Sequence, residues 1–160
     1  GYITGDKPAA PDLSQVDWLP GADRDCFLCR AASDPDRRAT LTPVLTAEAM
    51  VVLNRYPYNN GHLLIAPRRH VGELSELTAA EQLEIHQLMV RMTGILREKM
   101  NCEGFNIGLN LGRVAGASFP GHLHWHIVPR WSGDSNFMPT LAGVRVIPQA
   151  LDTLYEAKSY

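Results

Sequence analysis

One ten-residue run constrains this chain more than any other: Gly121-His122-Leu123-His124-Trp125-His126-Ile127-Val128-Pro129-Arg130. Three of the six histidines alternate here with apolar residues. In an extended strand, residues two apart share a face. The pattern predicts a strand with His122, His124 and His126 on one side and Leu123, Trp125 and Ile127 on the other. The apolar side reads as core and the histidine side as a site. Pro129 cannot donate to a ladder, so sheet pairing is expected to stop there.

The preceding chain supplies elements for such a strand to join. Val44-Leu45 and Met50 to Asn54 read as two strands turning near Ala47-Glu48, and His62 to Pro67 as a central strand. Thr78 and Glu81 form a capping box. It opens a helix to about Met100, with Leu83, Leu88, Met89, Met92, Ile95 and Leu96 at helical spacing. Gly94 costs that helix roughly 1 kcal/mol against alanine, which suggests close packing there. His86 on this helix reads as a solvated residue and Cys102 as structural. Phe105 to Asn110 and Val144 to Ile147 read as further strands, and Gln149 to Ala157 as a short helix. Cys26 to Ala32 reads as a turn-like segment. Residues 1–25, with three prolines, read as an extended arm that Trp18 and Leu19 pin to the body or to a partner subunit; residues 26–160 read as a single domain. Strand pairs with short turns and one long helix indicate an α+β fold with an antiparallel sheet of about five strands.

With 160 residues, 45% of them apolar, the chain can bury a real core. A net charge of −2 offers no electrostatic basis for binding duplex nucleic acid. No apolar run reaches the roughly 18 residues that span a bilayer, so no membrane partner is expected. Three cysteines, two as Cys26-x-x-Cys29, do not make a disulfide framework. That spacing in an intracellular protein points to metal or redox chemistry. A cytoplasmic protein is expected.

Residues His122 to Val128 follow His-φ-His-φ-His-φ-φ, with φ apolar, and so resemble the histidine triad family of nucleotide hydrolases and transferases. The resemblance extends from about Cys26 to Pro148. Gly108 to Gly112 and Pro129 to Phe137 are similar to a subgroup of diadenosine tetraphosphate phosphorylases and hydrolase-like members. The family implies a mostly antiparallel sheet with a long helix across it, usually dimeric. It also implies cleavage at the α-phosphorus of a dinucleoside polyphosphate or related nucleotide, with an adenine nucleotide as the expected substrate. His124 would be the nucleophile, and His126 would bind phosphate and assist the leaving group. A neutral imidazole is nucleophilic near neutral pH and can split one hard displacement into two easier ones.

Further roles follow from matching positions. Gly116, Ala117 and Ser118 would offer donors to phosphate oxygens, although the family's glutamine is absent from Ala115-Gly116-Ala117-Ser118. Asn110 matches a phosphate-contacting position. Asn54 matches one that holds the ribose hydroxyls. Cys26, Cys29, His70 and His122 match a structural zinc site, with His62 as the competing fourth ligand. Three other readings compete: a non-catalytic nucleotide sensor or adaptor, an adenosine phosphoramidate hydrolase, and a metal hydrolase whose triad forms an open zinc site.

Overall fold

The computed structural model describes residues 10–55, 61–117 and 119–134. A short helix, α1 (Phe27–Ala31), precedes strands β1 (Val44–Leu45), β2 (Ala49–Leu53) and β3 (Leu63–Pro67). The long helix α2 (Ala79–Met100) follows, then β4 (Gly104–Leu109) and β5 (Trp125–Arg130). The five strands form one antiparallel sheet in the order β1-β2-β3-β5-β4. β3 is therefore central, as its continuous apolar sequence predicts. The strand read at 144–147 and the helix at 149–157 lie outside the described residues.

β2 and β3 are buried at every position because both faces of the sheet are covered. Val51, Leu53, Leu63, Ile65, Leu123 and Ile127 pack with Ile85, Leu88, Met92, Ile95 and Leu96 of α2. Each such side chain contributes on the order of 1.5–3 kcal/mol by leaving water. On the opposite face Met50, Val52, Leu64 and Ala66 pack with Cys26, Leu28 and Cys29, and Trp18 and Leu19 of the arm lie against this second cluster. The arm is thus pinned where the sequence places the pin.

Helix α2 starts where the capping box requires. The Thr78 hydroxyl accepts the Glu81 N–H at 3.0 Å, and the Glu81 carboxylate accepts the Thr78 N–H at 2.9 Å. Glu81 is fully buried and also receives Arg69 through two bonds of 2.9 and 2.8 Å. That guanidinium, foremost among several causes, holds the carboxyl below its ordinary pKa. Arg69 precedes His70, so the cap of the long helix steadies a site residue's neighbour. Asn101, in the left-handed conformation, closes the helix.

Five local expectations are corrected. Regular pairing of the last strand begins only at Trp125. Ahead of it, the Leu123 N–H bonds the Val71 carbonyl at 2.8 Å, beyond the end of β3. The alternation itself survives: Leu123, Trp125 and Ile127 all join the core beneath α2. Pro129 does not end pairing, because it sits opposite Phe105. β3 has already finished at Leu63↔Ile127, so β5 has one neighbour there, an edge-like place where proline is tolerated. The segment at Cys26 is a true helical turn, too short to show a period. Gly94 is exposed and has nothing near its missing side chain, so packing does not require it. Leu83 is 58% exposed. At 100° per residue it falls away from the stripe of Ile85, Leu88 and Met92.

Gly61 opens β3 for two reasons. Its φ is 75°, and a Cβ would lie 2.8 Å from Met100 Sδ and 3.0 Å from Pro129. The next residue, His62, is delivered to the histidine face by this turn.

Candidate functional site

Two adjoining constellations occupy the sheet face that α1 partly covers. The first gathers Cys26, Cys29, His70 and His122, whose donor atoms all lie within 4.8 Å of one another. Cys29 Sγ is 3.2 Å from His70 Nδ1 and 3.5 Å from His122 Nδ1. Cys26 Sγ is 3.5 Å from His122 Nδ1, and the two Nδ1 atoms are 3.3 Å apart. Four ligands around a tetrahedral ion, with bonds of about 2.3 Å to sulfur and about 2.0–2.1 Å to nitrogen, stand about 3.3–3.8 Å apart. The set fits a closed site for such an ion.

The surroundings of these four residues favour the same role. The His122 Nε2–H donates to the Pro67 carbonyl at 2.8 Å, which leaves the Nδ1 lone pair facing the sulfurs. Cys26 Sγ accepts the Cys29 N–H, and Cys29 Sγ accepts the Asp23 N–H, both at 3.4 Å. Burial, aided by neighbouring Cys26, pushes the Cys29 thiol up to about 12. A bound cation would make the thiolate favourable there. His62 is not a ligand of this cluster; it is turned toward Asn54 and His126.

The second constellation is the rest of the triad. The His124 Nδ1–H donates to the His122 carbonyl at 2.9 Å, so its lone pair is on Nε2. The rings of His124 and His126 are 5.1 Å apart in an edge-on contact. His126 sits in register opposite Leu64 on one side and Gly108 on the other. Burial, and to a lesser degree His124, lowers the His126 pKa from its ordinary value. His126 is therefore neutral near pH 7. Its Nδ1 lies 2.9 Å from His62 Nε2.

Of the other sequence-selected residues, Asn54 lies at the end of β2 with Nδ2 2.9 Å from His62 Nδ1. Its sequence-based ribose role would have to use the amide oxygen. Asn110 follows β4 and lies 3.7 Å from where a Gly116 side chain would begin. Gly116 adopts φ 98°, and Ala117 behind it is buried. Ser118 lies outside the described residues. Sequence alone offers His62 only as a competing zinc ligand, because its partners are 8 and 64 residues away and meet it only across the sheet.

The antiparallel sheet thus carries its histidine face beside a thiol–imidazole cluster. Residues 44–133 match the family model described as HIT domain, and the chain belongs to that family. It is 48% identical over 100 residues to an AP-4-A phosphorylase of Mycobacterium tuberculosis, covering 62% of this chain and 51% of that protein. It is 32% identical over 82 residues to an asymmetrical bis(5'-nucleosyl)-tetraphosphatase of Schizosaccharomyces pombe, covering 51% and 44%. The chain thus spans about half the length of these curated relatives. Among solved structures, a Zn-bound histidine triad family protein from Mycobacterium smegmatis superposes with a TM-score of 0.56 at 25% identity, covering 73% of this chain and 87% of that one.

Proposed function

We propose that this protein is a nucleotidyl hydrolase or transferase acting on dinucleoside polyphosphates or related adenine nucleotides. The observation that carries the reading is the tautomer of His124. Its Nδ1–H is held by the His122 carbonyl, so Nε2 is the nucleophilic nitrogen. In the first step His124 Nε2 bonds the α-phosphorus. The bond to the departing polyphosphate or nucleotide oxygen breaks, and that oxygen takes up a proton from solvent. In the second step water or inorganic phosphate attacks the same phosphorus and gives up a proton to solvent, and the phosphorus–nitrogen bond breaks, restoring neutral His124. His126 and the backbone around Gly116 and Ala117 stabilise charge on the phosphate oxygens. Asn110, Asn54 and Ser118 complete the nucleotide contacts. The similarity to an AP-4-A phosphorylase supports this substrate class, with phosphate or water as acceptor.

Cys26, Cys29, His70 and His122 would hold a structural zinc ion, whose chemistry is to tie α1 to the triad segment. An open catalytic metal site built from the triad fits less well. The His122 ring is turned to the sulfurs, which leaves only two triad imidazoles for such a site. The three cysteines are free, which accords with a cytoplasmic setting. No helix among the described residues is long and apolar enough to cross a membrane. We further propose a two-fold homodimer. The exposed strand edge of β4 carries Ile107 at 47% exposure, and α2 presents Val90 and Leu83 to solvent.

A turnover and thermal-shift panel tests the activity. It comprises diadenosine polyphosphates and an adenosine phosphoramidate, each with and without phosphate. Cleavage of the polyphosphates supports the reading. Binding without turnover would support a sensor instead, and preference for the phosphoramidate a different leaving group.

A further inference from the structure

His62 has no part in the reaction scheme, yet its ring is held at both ends. Asn54 Nδ2 is 2.9 Å from His62 Nδ1, and His62 Nε2 is 2.9 Å from His126 Nδ1. The two rings are 5.1 Å apart and tilted by 50°. The backbone locks the first pair as well, since the Asn54 N–H donates to the His62 carbonyl at 3.0 Å.

A neutral imidazole has one N–H and one lone pair. An amide nitrogen only donates, so the lone pair of His62 is on Nδ1 and its proton on Nε2. That proton meets His126 Nδ1, which must accept it. The N–H of His126 is then forced onto Nε2, the nitrogen that the chain of hydrogen bonds leaves over. We propose that Asn54 and His62 are positioning residues that fix His126 as an Nε2–H donor toward the substrate's phosphate oxygens. The wiring is independent of substrate; what His126 donates to rests on the reaction proposed above.

Neutrality of His62 is what lets it pass on a direction. Its burial, reinforced by His126 and His124, pushes it down to about 4, so near pH 7 it holds one proton. The residue type at position 54 then matters more than its size. A carboxylate only accepts. Aspartate there would draw the His62 proton to Nδ1, leave Nε2 bare, and turn His126 into an Nδ1–H tautomer with no proton for the phosphate.

Long-range nitrogen–proton NMR of histidine-labelled, metal-loaded, full-length protein at pH 8 without nucleotide tests this directly. The expected result is the Nε2–H tautomer for both His62 and His126, changing to Nδ1–H for both in Asn54→Asp. In turnover, Asn54→Asp and His62→Leu should lower kcat roughly 10–100-fold, as loss of an outer partner of a functional histidine does. KM should change little in His62→Leu, whereas Asn54→Asp also alters a proposed nucleotide contact. His62→Gln, which keeps an amide donor, should recover most of the rate and the His126 tautomer. An Nδ1–H on His126 in the unmodified protein overturns the proposal. So does a folded His62→Leu protein with unchanged kcat and tautomer. If no nucleotide is turned over but the tautomers are as stated and reverse in Asn54→Asp, the wiring stands and the reaction reading falls.

Discussion

The His124 Nδ1–H and the His122 carbonyl oxygen are joined by a 2.9 Å hydrogen bond. His122 is at once a member of the thiol–imidazole cluster through its ring and the partner of the proposed nucleophile through its backbone. Whatever holds the His122 ring in place also holds the acceptor that sets the tautomer of His124. Structure and chemistry therefore share one residue.

Metal analysis of protein purified without chelator should find about one zinc per chain, because the four donors match a closed tetrahedral set. Cys26→Ser should remove much of that binding free energy from folding. Several kcal/mol lost corresponds to a fall in Tm on the order of 10 °C for a chain of this size. Turnover of the remaining folded protein should change less. Zinc-free protein with an unchanged Tm would refute the assignment.

His124→Ala should abolish turnover by several orders of magnitude while nucleotide binding persists, since the covalent route is lost with its nucleophile. His126→Ala should cost about 10²–10³ in rate, the range of a stabilising donor. His122→Ala should behave as a folding variant. Acid quench with substrate labelled at the α-phosphate should trap an adduct on His124 that is stable to alkali and labile to acid. Substantial turnover by folded His124→Ala protein would show that another group attacks.

In light scattering at micromolar concentration the protein should weigh about twice 17.7 kDa. A charged residue in place of Ile107 on β4 should shift it toward monomer. A monomer in the unmodified protein would remove the case for an interface there.

Acid should destabilise the fold through His62. Its folded pKa, about 4, lies below the ordinary 6.5, so the unfolded chain binds more protons between those values. Stability therefore rises with pH across that window, is complete above about 6.5, and is lost as pH falls toward 4. The contribution is at most about 3 kcal/mol, less whatever water still screens the ring. Denaturant midpoints measured from pH 4 to 7.5 should show this slope flattened in His62→Gln. An equal slope in both proteins would place the titration elsewhere.

Much of the fold was legible from local pattern. The capping box at Thr78 and Glu81 started α2 where it begins, because capping is satisfied within one turn. The apolar alternation of Leu123, Trp125 and Ile127 identified the core face, because side-chain direction in extended chain has period two. The errors fall where a neighbour from elsewhere decides. Pro129 pairs because β3 has already ended, and Leu83 faces solvent because α2 has one stripe on the sheet.

The sequence by itself determined the chemical inventory: three alternating histidines, a Cys-x-x-Cys, and the residues for an antiparallel sheet under one long helix. Only the tertiary structure decided how that inventory is divided. It sent the His122 ring to the cysteines, gave its carbonyl to His124, and set His62 between Asn54 and His126. The physical reason is that composition and periodicity specify which atoms exist and which face they take. Hydrogen-bond direction and tautomer depend instead on which partners the fold brings together, whether two residues apart, as for His124 and His122, or 64 apart, as for His62 and His126.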